Sequence, residues 1–140
     1  MDNELNRFLV AQERDYPTAL AEIRQGRKRS HWMWYIFPQL QGLGYSPTAR
    51  FYAIRDLGEA KAYLSHETLG PRLVEISRAL LALPGHDATA VMGSPDDLKL
   101  RSSMTLFSLA PGADPVFAAV LDKFYRGQKD EKTEALIFGY

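Results

Sequence analysis

Ser30-His31-Trp32-Met33-Trp34-Tyr35-Ile36-Phe37-Pro38 decides how the rest of this chain is read. It holds both tryptophans, and four of its nine residues are aromatic. Arg27-Lys28-Arg29 precedes it and Gly42-Leu43-Gly44 follows. At about 100° per residue, Met33, Ile36, Phe37 and Leu40 fall on one face of a helix. His31, Tyr35 and Pro38 take the far face, with Trp32 and Trp34 on its flanks. Rings of this kind pack through their bodies and direct hydrogen bonds through their polar tips. A helix apolar all round is normally buried all round. The stretch therefore predicts a central core helix, or a helix with one side on the core and the other on a ligand cleft. Pro38 lacks a backbone N–H and disfavours helical geometry at Phe37. The expected helix is short, from a Ser30 N-cap to Phe37. His31 then lies in the first turn, where the helix dipole disfavours added positive charge, so a neutral imidazole is expected.

On either side of this stretch the signals are helical. Leu5, Phe8, Leu9 and Gln12 mark a short first helix. Asp15-Tyr16-Pro17 reads as the start of a second, which runs through Ile23 and stops at Gly26. Ser46-Pro47, Ser94-Pro95 and Asp114-Pro115 repeat one device, a cap residue followed by proline. Asp56-Leu57-Gly58-Glu59 has capping-box spacing. The strongest amphipathic stripe is Leu69, Leu73, Ile76, Leu80 and Leu83, stopped by Pro84-Gly85. Ala88 to Met92 reads as a helical turn, and Asp130 caps a final helix through Leu136. No alternating strand pair appears. The prediction is an all-α fold: a single domain over residues 1–140 with about eight short to medium helices.

Composition narrows the function classes. Lysine plus arginine and aspartate plus glutamate number 17 each, so no net field steers the chain onto nucleic acid or membrane. The absence of cysteine excludes disulfides, zinc–cysteine sites and thiol chemistry. The start, Met1-Asp2-Asn3-Glu4, carries no apolar signal core, and no run approaches the ~18 apolar residues of a membrane span. A cytoplasmic protein is expected. No histidine or carboxylate pair has metal-ligand spacing, so neither metal nor cofactor is predicted.

Several motifs together resemble one bacterial family. They are Lys28-x-Ser30-His31-Trp32-Met33-Trp34-Tyr35-Ile36-Phe37-Pro38-Gln39, Gly42-Leu43-Gly44-x-Ser46, Ala62-Tyr63-Leu64-x-His66-x-x-Leu69-Gly70-x-Arg72-Leu73, and Asp97-x-Lys99-Leu100-x-Ser102-Ser103-Met104-Thr105-Leu106-Phe107. The family is one of unknown function, often labelled "calpastatin" in genome annotation. The resemblance spans nearly the whole chain. It implies a small multihelical all-α fold, implies no reaction, and brings no site residues with it. Calpastatin's inhibitory segments are disordered and fold on binding, whereas this chain reads as compact, so the label is set aside.

The candidate site is a pocket on the far face of the aromatic helix. His31 would serve as general base or polar reader, and Trp32, Trp34 and Tyr35 as stacking walls. Lys28, Arg29 and Arg50 would hold an anion. Gln39, Ser46, Lys99, Ser102 and Ser103 complete the candidate set. The glycines before Ser46 offer N–H groups at a helix start, but a turn with a cap explains them equally. Lys99, Ser102 and Ser103 share a helix face, yet serines within a helix more often bond back to the preceding turn. The expected ligand is an anionic aromatic small molecule such as a nucleotide-derived metabolite. The competing reading is a helical protein-interaction module whose aromatic helix is pure core. Oligomeric state is not legible in the sequence.

Overall fold

A computed structural model describes residues 3–139. The ends of the predicted domain, Met1, Asp2 and Tyr140, lie outside the described residues. Among those described, a 3₁₀ turn at Asn3–Leu5 leads into nine α-helices. These are α1 Asn6–Arg24, α2 Met33–Ile36, α3 Pro47–Phe51, α4 Leu57–Ser65, α5 Leu69–Ala82, α6 Ala88–Met92, α7 Asp96–Ser108, α8 Val116–Tyr125 and α9 Glu131–Phe138. The fold is all-α, as the helical spacing predicts. The one β-type contact described is an isolated parallel bridge between Leu40 and Ile54.

The two short helices expected before Gly26 are a single α1 with Pro17 inside it. Proline removes one N–H donor, yet the buried stripe Phe8, Ala11, Gln12, Tyr16, Ala19 and Ile23 runs past it without a break in spacing. Burial of that stripe, and Tyr16 Oη donating to Arg72 O at 3.0 Å, keep the chain helical through the proline. The aromatic helix is shorter than expected, one turn rather than two. Ser30 is not its N-cap: the position falls to Trp32, with no side-chain cap bond. His31 precedes the helix, so the dipole argument for its charge does not apply.

Ser46, Asp56 and Asp130 cap as read, whereas at Ser94-Pro95 and Asp114-Pro115 the N-cap position falls to the proline, with no side-chain cap bond. Ser46 Oγ accepts the Ala49 N–H at 3.1 Å. Asp56 Oδ1 accepts that of Glu59 at 2.9 Å, and Asp130 Oδ2 that of Thr133 at 3.0 Å. α5 packs on α1, α4 and α8, and α7 on α8. A chain of ring contacts crosses the middle. Phe8 of α1 meets Tyr63 of α4 at 5.2 Å, Tyr63 meets Phe107 of α7 at 5.3 Å, and Phe107 meets Phe117 of α8 at 5.9 Å. All four rings are fully buried. The segment from Leu40 to Ile54 lies at the edge of this core, pinned at both ends by Gln41 N–H to Ile54 O (2.7 Å) and Ile54 N–H to Gln39 O (2.8 Å). None of residues 41–53 is buried.

Candidate functional site

The polar tips of the aromatic stretch are taken up by α1. Glu22 accepts four hydrogen bonds: from Arg29 N–H at 2.8 Å, Ser30 N–H at 3.0 Å, Ser30 Oγ at 2.6 Å and the Trp32 indole at 2.9 Å. Burial pushes the Glu22 carboxyl up, but these donors outweigh it and bring its pKa down to about 2. Trp32 is 1% exposed. Tyr35 Oη donates to the Asp15 carboxylate, and its ring lies 5.1 Å from that of Tyr52. Burial raises the Tyr35 phenol, as does the bond to Asp15.

The expected pocket on the far face is therefore filled. Glu22 draws the Ser30–Trp32 segment onto α1, and Asp15 does the same for Tyr35. His31 is exposed and lines none of the cavities described. Lys28 is no pocket-mouth cation. Its side chain is 8% exposed, its Nζ pairs with Asp96 Oδ2 at 2.9 Å and donates to Ser30 O at 2.6 Å, and it lies 4.9 Å from the Trp32 ring centre. Lys99 mirrors it, with Nζ 3.6 Å from Asp96 and 5.6 Å from the Trp34 ring. Arg29 is exposed, and its described bond runs through its backbone N–H. Ser102 Oγ bonds back to Leu98 O at 3.2 Å. Ser103 Oγ is buried with no hydrogen-bond partner, so neither serine hydroxyl is bonded to Lys99. Ser46 is taken up by its cap.

The structure opens a hollow elsewhere. A cavity of about 730 Å³ lies between the start of α1 and the end of α3, lined by Glu4, Arg7, Val10, Arg50, Phe51, Arg55 and others. Two more adjoin it. One of about 410 Å³ shares Gln41, Arg50 and Ala53 and adds Tyr45. The other, about 490 Å³, shares Gln41 and Arg55 and adds Leu136 and Ile137. Gln41 borders all three, so they form one trough. Val10, Tyr45, Phe51 and Leu136 are large apolar side chains left exposed, and all four lie along it.

Of the predicted site residues, only Arg50 lines the trough. Trp34 and Gln39 border a narrow cleft of about 10 Å³ behind it, with Tyr52 and Ala53. The Arg50 side chain is exposed and has no ion-pair or hydrogen-bond partner among the described residues. Arg7 is engaged: Nη2 donates to Ala53 O at 2.8 Å and lies 3.4 Å from Glu59. Glu4, Arg7, Phe51 and Arg55 are contributors that sequence reasoning missed. The available signal was the density of rings and cations from Tyr45 to Arg55, which the richer stretch at 30–38 overshadowed. Among the described residues no group of three or more histidines and carboxylates is placed to hold a metal ion.

Fold and site together describe a small all-α protein with an open trough of cations and rings. The chain belongs to the family described as "Protein of unknown function (DUF1810)", whose model matches residues 2–137. It is similar to the conserved hypothetical protein Rv1873 from Mycobacterium tuberculosis, known from a crystal structure. The two are 50% identical, with a TM-score of 0.94 over 96% of each chain. No curated protein matches. The calpastatin label finds no support in either likeness.

Proposed function

We propose that the protein binds an anionic small molecule carrying an aromatic ring, of the kind nucleotide-derived metabolites present, in the trough beside α3. One observation carries this reading: Arg50, a guanidinium without a described partner, lines a trough that also exposes the Tyr45 and Phe51 rings. A guanidinium holds a phosphate or carboxylate through paired N–H donors. Exposed rings offer a face on which a flat ligand stacks. The main hollow falls within the ~300–1,000 Å³ typical of small-molecule sites.

The sealed burial of Trp32 and Tyr35 favours the second reading, an interaction module without ligand chemistry. Thermal-shift measurement with a panel of nucleotides separates the two, because a ligand specific to the folded state raises the melting temperature. At least one nucleotide is expected to stabilise the wild type and to lose that effect in Arg50→Ala. His31→Ala is expected to behave as wild type. If every nucleotide leaves the wild-type melting temperature unmoved, the ligand reading is abandoned for the module.

A further inference from the structure

Besides Arg50, four charged side chains line the main hollow: Glu4, Arg7, Arg55 and Glu59. Two of them are built into the fold. The Arg7 and Glu59 side chains are 14% and 5% exposed. Arg7 stacks 4.4 Å from the Phe8 ring centre, and Glu59 Oε1 accepts the Arg55 N–H at 2.8 Å. Glu4 and Arg55 form the other kind of pair. Their side chains are 65% and 56% exposed, and a single contact of 2.5 Å joins Glu4 Oε1 to Arg55 Nη1. The Arg55 fork is divided. Its Nε faces Asp56 Oδ2 at 3.4 Å, and Nη1 lies 4.0 Å from Glu59 Oε2. Removing Glu4 would leave Nη1 with no acceptor within hydrogen-bond reach, in a guanidinium whose Nε still faces Asp56. Exposed ion pairs hold weakly, because water solvates both partners once they part.

We infer, resting on the reading that the trough takes a ring-bearing anion at Arg50, that Arg55 is a second anion contact of the same trough and that Glu4 covers it in the free protein. The ligand class is then a ring compound with two anionic groups, the second of which replaces the Glu4 carboxylate on Nη1. The exchange swaps one anion for another on the same donor, and Glu4 moves into solvent it already touches. Glu4 thereby discriminates against ligands with one anionic group, which have nothing to displace it.

The test uses two probes with one ring system, 2-naphthalenesulfonate and 2,6-naphthalenedisulfonate, titrated calorimetrically into the whole protein. The wild type is expected to prefer the disulfonate. Glu4→Gln is expected to tighten the disulfonate about two- to fivefold, the scale of an exposed ion pair, and to change the monosulfonate less. Arg55→Gln is expected to abolish the preference and to silence the Glu4→Gln effect, and Arg55→Lys to restore part of it. Melting curves establish that each variant folds. Three results overturn the inference: a Glu4→Gln effect equal for both probes, one that persists in Arg55→Gln, or none at all. If Arg50→Ala still weakens both probes, the proposed function survives that loss. If neither probe binds, or Arg50→Ala changes nothing, that function falls and this inference with it.

Discussion

Glu22 is the residue on which the aromatic stretch depends, and it lies eight residues upstream of Ser30. Its carboxylate gathers two backbone N–H groups, a hydroxyl and an indole. Glu22→Ala leaves those donors without their acceptor and is expected to cost about 2–3 kcal/mol in urea unfolding. The pH dependence follows from the depressed carboxyl. Its pKa falls from an ordinary 4.5 to about 2 on folding, so its contribution is complete above 4.5 and is lost as pH drops through 2. The stability gap between wild type and Glu22→Gln should close over that window; a gap that stays constant would show that Glu22 is not the titrating group. This part of the site was hidden in the sequence. The rings at 31–37 announce themselves, but nothing local says which carboxylate will meet their polar tips. Helical spacing assigns His31 and Tyr35 to one face, whereas the Glu22 contacts hold Ser30 and His31 ahead of the helix.

At the scale of the element, cap chemistry was the most legible feature. Ser46, Asp56 and Asp130 are local devices, each acting on an N–H three residues on. Where long-range packing decides, local reading misled: α1 continues through Pro17 because its buried stripe does. Two elements invite direct tests. Asp130 Oδ2 also accepts from Thr133 Oγ1 at 2.6 Å, and Thr133 is buried. Asp130→Ala should cost about 1–2 kcal/mol and speed amide exchange across α9, while Asp130→Asn keeps most of the cap. Gly70, in the first turn of α5, lies so close to the end of α4 that a Cβ there would sit 2.0 Å from Leu64 O. Gly70→Ala should therefore destabilise by about 3 kcal/mol, at the upper end of overpacking, because a backbone carbonyl has to move. A melting temperature equal to wild type would show that α4 and α5 separate at little cost.

For the whole molecule, the chain of rings from Phe8 to Phe117 ties α1, α4, α7 and α8 into one packed unit. Unfolding followed by tryptophan fluorescence and by far-ultraviolet circular dichroism should give coincident transitions. Phe107→Ala, which removes one of the two inner rings, is expected to cost about 3–5 kcal/mol. Amphipathic spacing made the all-α class legible, because core stripes are written into each helix separately. The trough was not legible. It is made where the start of α1, the bridge and α9 meet, and no single segment contains it.

The bridge between Leu40 and Ile54 has a consequence of its own. It closes residues 41–53 into an excursion whose ends are fastened and whose helix α3 buries no residue, while Leu43 and Tyr52 rest against the core. Tyr45 and Phe51 are exposed, so replacing either is expected to change the surface with little effect on the fold. Selection can revise the exposed face of such an excursion while the helices beneath it stay as they are.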